Sequence, residues 1–340
     1  MNYIIKYFVL FILLFYAKDS IYALESNWGI SEVSKVRLIS PLSHNNNQDE
    51  IYIGLEYQME SGWKTYWQSP GDAGFPQQLS WQNSINVSNI EIKWPIPKEF
   101  EILNLKSLGY EDRVIFPLKI NLSNVTKDTQ INLESSYLVC KDICIPGKAI
   151  LSLNIPAGKA TTTKYFYSFE KSISSLPQTN INITPLSNFN VYTKKNNKFI
   201  IINVEATTNS IFQNPKVYIH TAFGLPLIKP IYEYSLDYKT LKASFYFDHE
   251  LINKDNFDNS VLLIDNNYNY IFESNTEVQK IKKGFIENQI IYFFIIALLG
   301  GLILNVMPCV FPVLSIKLLS VLETRKTDAR ISFLITSIGI

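Results

Sequence analysis

Cysteine is scarce in this chain, with only Cys140, Cys144 and Cys309 among 340 residues. Three is an odd count, so at least one thiol stays outside any pairing within the chain. Histidine is equally rare. His44, His220 and His249 all lie far in sequence from Cys140 and Cys144, so a Cys-x3-Cys metal site would have two ligands and no local third. Excess charge is missing as well: the formal net charge is +1, and phosphate binding needs clustered surplus Lys and Arg, so no nucleic-acid partner is expected. Long helical periodicity is absent between residues 24 and 160. What the chain has in quantity is apolar and aromatic residues, enough to bury cores in two domains or more.

The first 23 residues, "MNYIIKYFVLFILLFYAKDSIYA", combine a basic Lys6 with an apolar stretch from Tyr7 to Ala17. That stretch is about half of the ~20 residues needed to span a bilayer, so it reads as a signal peptide cleaved after Ala23. Export places the cysteines in an oxidising compartment, where a close pair can close.

Residues 24–160 carry the strand signature. "IYIGLEYQ" alternates Ile51, Ile53, Leu55 and Tyr57 with Tyr52, Gly54, Glu56 and Gln58, and "AILSLNI" alternates Ala149, Leu151, Leu153 and Ile155. Turn residues separate such runs, most densely in "SPGDAGFP", which predicts an antiparallel sandwich. Residues 161–180 read as a linker with a short helix, since Tyr165, Phe166, Phe169, Ile173 and Leu176 recur near helical spacing and Pro177 closes the run. A second β domain over 181–280 follows, with a hairpin turn expected at Asn196 and Asn197 and no cysteine. From 281 to 340 the chain turns apolar for long enough to cross a bilayer, and Gly300 and Gly301 are the small residues that let membrane helices approach. Arg325, Lys326 and Arg330 favour a cytoplasmic end there. "ISFLITSIGI" opens a second apolar run that ends with the sequence, the pattern of a truncated or split product.

"YLVCKDICIPG" places Cys140 and Cys144 on a connection between two strands, closed by a Pro-Gly turn. Four residues allow a disulfide if the loop bends. So small a loop contributes little chain-entropy stabilisation, and strained or exposed pairs are the reducible kind. Lys141 and Lys148 favour a thiolate there and Asp142 opposes it. On spacing alone a structural staple, a redox pair and a metal site all remain open. Cys309 lies between Pro308 and Pro312 in "NVMPCVFPVLSIK", and prolines interrupt helical hydrogen bonds and can open a cavity at membrane depth. Taken alone, Cys309 also fits a small buried hydrophobe.

The Pro-Cys-x-x-Pro run in "GGLILNVMPCVFPVLSIK" resembles the first transmembrane segment of DsbD/ScsB-type thiol:disulfide interchange proteins, related to the CcdA transporters. "YLVCKDICIPGKA" is similar to the active-site loop of that family's exported amino-terminal domain, and "GWKTYWQSPGDAGFP", "WPIPKEF" and "LGYEDRVIFPL" resemble other parts of it. The resemblance implies a mainly β chain with two exported antiparallel, immunoglobulin-like sandwich domains followed by the start of an α-helical membrane domain. It implies a protein-disulfide reductase that passes reducing equivalents from cytoplasmic thioredoxin across the inner membrane to periplasmic thioredoxin-fold proteins, in cytochrome c maturation or disulfide isomerisation. Cys140 and Cys144 would be the exported station, with Cys144 bonding the outgoing substrate, and Cys309 the first cysteine of the membrane pair. Tyr137 and Pro146 would support the loop, and Pro308 and Pro312 would frame Cys309. The partner of Cys309 and a carboxy-terminal thioredoxin-like domain have no counterpart in the sequence. No cofactor and no metal is expected. The competing reading is a non-enzymatic exported sandwich with a structural disulfide, anchored by its membrane segment.

Overall fold

The structure is a computed structural model that describes residues 23–102, 104–179, 186–195, 198–221, 224–252, 256–266, 268–280 and 292–301. The expected leader, the turn at Asn196 and Asn197, Cys309 with Pro308 and Pro312, and the second apolar run lie outside the described residues.

The described residues from 23 to 279 belong to one compact unit. Its first part begins with β1 (Gly29–Ile30), β2 (Ser34–Ile39), β3 (Glu50–Met59), β4 (Lys64–Gly71), β5 (Gln78–Ser80) and β6 (Val87–Ile92). β7 (Lys98–Ile102), β8 (Leu105–Glu111), β9 (Arg113–Leu122), β10 (Thr129–Cys140) and β11 (Cys144–Ile155) complete it. These strands make two antiparallel sheets, ordered β1-β2-β3-β9-β6 and β11-β10-β4-β8-β7, with β5 also paired to β10. The inward residues of both sheets meet in one core that includes Leu38, Tyr57, Trp67, Phe116, Leu133, Tyr137, Val139 and Leu151. Tyr57 stands edge-on to Phe116 and Tyr137 at 5.4 and 5.0 Å, the arrangement that ring quadrupoles favour.

The alternation in β3 is half kept. Ile51, Ile53, Leu55 and Tyr57 are buried as the period requires, but Gly54 and Glu56 on the opposite face are buried too. A second layer covers that face. The helix α1 (Phe166–Ser174) packs Tyr165 and Phe169 with Ile39 and Ile115. Glu56 accepts hydrogen bonds from Arg37 Nε and Arg113 Nε at 2.7 Å each. Arg37 also binds Glu25, which accepts the Tyr165 hydroxyl, so the segment after the expected cleavage site is tied to the start of α1.

The second part contains β12 (Leu186–Lys195), β13 (Phe199–Thr208), β14 (Lys216–Thr221), β15 (Ile231–Tyr234), β16 (Thr240–Asp248), β17 (Asn256–Asp265) and β18 (Tyr268–Lys280). Where a second sandwich of two sheets is expected, these strands form one seven-stranded sheet ordered β14-β17-β18-β12-β13-β16-β15. The sheet wraps a core of its own, in which Val217 and Ile219 of β14 meet Ile200, Ile202, Phe245 and Val261. Two of its residues, Tyr218 and Leu262, belong instead to the core of the first sandwich.

His220 on β14 sits 6.4 Å from the Trp67 ring of β4, and its Nδ1 is buried with no hydrogen-bond partner among the described residues. Burial holds its pKa below the ordinary 6.5. The unfolded chain therefore takes up a proton that the folded chain resists, so stability is full above pH 6.5 and falls as the pH drops toward the folded value. Thermal unfolding midpoints between pH 7.5 and 5.5 are expected to decline more steeply in the native protein than in His220→Phe. Parallel curves for the two would refute this.

In a second unit, the stretch 292–301 is helical. Tyr292, Phe293, Phe294, Ile295, Ile296, Leu298 and Leu299 are all exposed on it. No helix among the described residues is long and apolar enough to cross a membrane.

Candidate functional site

β10 and β11 form a long hairpin in full register from Thr129 opposite Ile155 to Cys140 opposite Cys144. The strands run up to the cysteines themselves, so the loop is only Lys141–Ile143 and the pair is the last rung of the ladder. The expected Pro-Gly turn does not form. Pro146 and Gly147 lie within β11, opposite Leu138 and Tyr137. β11 is the outer strand of its sheet, where a residue lacking an N–H is tolerated. Gly147 lets the Tyr137 ring lie on the hairpin backbone, since a Cβ there would come within 2.3 Å of Tyr137 Cζ.

Cys140 and Cys144 are joined by a disulfide with their Cα atoms 4.1 Å apart. The two sulfurs are not equivalent: Cys140 is fully buried, whereas Cys144 is exposed. Strand alternation explains part of this difference. Tyr137 and Val139 face the sandwich core, and Leu138 and Cys140 face a small cluster on the other side with Tyr66, Phe100 and Ile102. Tyr137 is thus a core residue whose hydroxyl meets Ser34 Oγ at 2.9 Å, and it does not shield the pair. Lys148 is engaged by Glu134 at 2.8 Å, and Lys141 Nζ donates to the Ser61 carbonyl at 3.2 Å.

Tyr66 hydrogen-bonds to the pair. Its hydroxyl donates to Cys140 Sγ at 2.9 Å and lies 3.9 Å from Cys144 Sγ. Tyr66 is fully buried, and burial raises its pKa above the usual 10.0, so at neutral pH it remains a proton donor. β4 delivers it, through the pairing of Val139 with Thr65 and Cys140 with Lys64. On the sequence, Tyr66 reads only as one aromatic in a core cluster with Trp63 and Trp67. The signal that it serves the cysteines is a strand pairing across 74 residues, which no local pattern encodes.

Two elements bracket the Tyr66 ring. Phe100 of β7 lies 5.9 Å away, tilted at 48°. Gly74, in the segment between β4 and β5, lies against the ring so closely that a Cβ would be 2.3 Å from Tyr66 Cε1. Ile143 is 62% exposed beside Cys144 and offers an apolar contact to a partner. A separate cavity of about 660 Å³, lined by Tyr52, Trp94, Phe166 and Ile173 among others, reaches the far end of β11 at Ile155 but not the cysteines. Among the described residues no group of three or more His, Cys, Asp or Glu side chains is placed to hold a metal.

The site is a hairpin disulfide in a mainly β sandwich, with Cys144 exposed and Cys140 buried and held by the Tyr66 hydroxyl. Residues 35–156 match the family model described as thiol:disulfide interchange protein DsbD, N-terminal. The chain is also similar to the crystal structure of the N-terminal periplasmic domain of ScsB from Proteus mirabilis, with a TM-score of 0.55 and 19% identity. That likeness covers 75% of this chain and 99% of that one, and at such identity it concerns the fold. No curated protein sequence matches the chain.

Proposed function

We propose that the protein is a protein-disulfide reductase whose Cys140–Cys144 pair passes reducing equivalents to oxidised thioredoxin-fold proteins outside the cytoplasmic membrane. The observation that carries this reading is the asymmetry of the pair: an exposed Cys144 and a buried Cys140 hydrogen-bonded to Tyr66. A staple needs neither feature.

In the reduced protein, the Cys144 thiolate attacks one sulfur of the partner disulfide and a mixed disulfide forms as the partner's other sulfur leaves as a thiolate. Cys140, deprotonated, then attacks Cys144 Sγ. The intramolecular disulfide closes, and the partner departs as a dithiol carrying two electrons, its thiolates protonated from solvent. Tyr66 stabilises the negative charge on Cys140, because a hydrogen bond to an ionised group is roughly twice as strong as a neutral one. In the reverse direction the same bond makes Cys140 the better leaving group.

Reducing equivalents would come from cytoplasmic thioredoxin through a membrane pair that includes Cys309 between Pro308 and Pro312. The leader, the apolar 281–340 region and the exposed apolar helix at 292–301 support a location in the inner membrane with the β regions in the periplasm. Cytochrome c maturation and disulfide isomerisation are the downstream uses proposed. The test is the reduction potential of the pair in the exported part, together with exchange against a thioredoxin-fold dithiol. Exchange within minutes and a potential above about −300 mV support the reading, and a lower potential without exchange marks the pair as a staple.

A further inference from the structure

The cysteine-free second β region makes two contacts beside the elements that bracket Tyr66. Tyr218 of β14 donates its hydroxyl to Glu99 Oε1 at 2.6 Å, and Lys216 approaches Glu99 Oε2 at 3.6 Å. Glu99 belongs to β7 and directly precedes Phe100, one of the two elements against the Tyr66 ring. The second point is Asp72. Its Oδ1 accepts the Leu227 N–H at 3.0 Å, its Oδ2 accepts the Lys106 N–H at 3.3 Å, and its own N–H donates to the Lys106 carbonyl at 3.0 Å. Two residues on is Gly74, the other element against the ring. Leu227 also packs beside Gly71, where a Cβ would meet Leu227 Cβ at 3.0 Å.

We propose that Tyr218 and Leu227 are positioning residues for the redox centre, holding β7 and the 72–77 segment against Tyr66 so that its hydroxyl stays on Cys140 Sγ. Three features argue for this. Both contacts fall on residues adjacent to the bracketing elements rather than on arbitrary surface. Tyr218 and Leu262 enter the core of the first sandwich, so the second region is a fixed support. Between Tyr66 and Gly71 the β4–β8 register is irregular, so beyond Tyr66 the ladder alone does not fix the segment that leads to Gly74. The inference deepens the proposed transfer function, yet it concerns the disulfide itself and is read without any protein partner.

The reaction to follow is reduction of the pair by dithiothreitol. One dithiothreitol thiolate attacks exposed Cys144 Sγ and Cys140 leaves as the thiolate that Tyr66 stabilises. The second dithiothreitol thiol then releases Cys144 and closes the oxidised six-membered ring. Tyr66→Phe is expected to slow this reduction about tenfold, the loss of a hydrogen bond to a charged group. Tyr218→Phe combined with Leu227→Pro, which removes one hydroxyl and one N–H, is expected to slow it about threefold and to add nothing further in the Tyr66→Phe background. Asp72→Ala should match Leu227→Pro alone, and Asp72→Asn, which keeps an acceptor for Leu227, should recover most of the rate. Should Leu227→Pro fail to fold, Tyr218→Phe and the Asp72 pair carry the same comparison. Unchanged or faster reduction, effects that add fully to Tyr66→Phe, or no recovery in Asp72→Asn would overturn the proposal. Loss of exchange with protein partners alone, with the dithiothreitol rates as expected, would count against the transfer function and leave the positioning role standing.

Discussion

Replacing Cys140 with serine is expected to turn the protein into a covalent trap, whereas replacing Cys144 with serine is expected to leave it inert. The contrast follows from where the two sulfurs lie. Cys144 is exposed at the hairpin end and meets a partner disulfide directly, whereas Cys140 is fully buried among Leu138, Phe100 and Ile102. In Cys140→Ser the exposed thiolate still attacks, but no second sulfur resolves the mixed disulfide, so an adduct with an oxidised thioredoxin-fold protein accumulates toward stoichiometry. In Cys144→Ser the remaining thiol is inside the protein, and adduct should fall at least a hundredfold. Non-reducing electrophoresis with mass spectrometry of the adduct reads both. Equal trapping by the two variants would show that burial does not choose the attacking sulfur.

How far this site was legible in the sequence depends on how local each piece of information is. The strands around the cysteines announce themselves by period 2, and the hairpin keeps it: Ala149, Leu151, Leu153 and Ile155 point inward while Ile150 is 76% exposed. The helix over 166–174 likewise follows from the spacing of Phe166, Phe169 and Ile173. Burial of Gly54 and Glu56 was not readable, because it is imposed by α1 and two arginines that come from elsewhere in the chain. Pro146-Gly147 reads as a turn from composition, yet it is strand, because β11 lies at the sheet edge and Gly147 is needed under Tyr137. The segments that carry the family resemblance outside the cysteine loop turn out to converge on the site. "GWKTYWQSPGDAGFP" supplies Tyr66, Asp72 and Gly74, "WPIPKEF" supplies Glu99 and Phe100, and "LGYEDRVIFPL" supplies Gly109 opposite Tyr66. That convergence needs sheet register, which a single sequence does not contain.

Register also gives the variant with the largest expected effect on stability. Gly109 of β8 pairs with Tyr66 of β4, and a Cβ at Gly109 would lie 2.0 Å from the Thr65 carbonyl oxygen and 2.9 Å from Tyr66 Cα. Those neighbours are backbone, so no side-chain rotation relieves the clash, and β4 must move away from β8. Gly109→Ala is therefore expected to cost about 3 kcal/mol, the upper part of the usual range for overpacking. For a unit of this size that lowers the thermal midpoint by roughly 6–12 °C. Because β4 also carries Tyr66 to Cys140, the folded fraction should reduce with dithiothreitol as slowly as Tyr66→Phe. Ile150→Ala, on the exposed face of β11, is the control and should stay within about 0.5 kcal/mol of the native protein. If Gly109→Ala melts like that control, β4 and β8 are not in the close contact that fixes Tyr66, and the hydroxyl must reach Cys140 by another support.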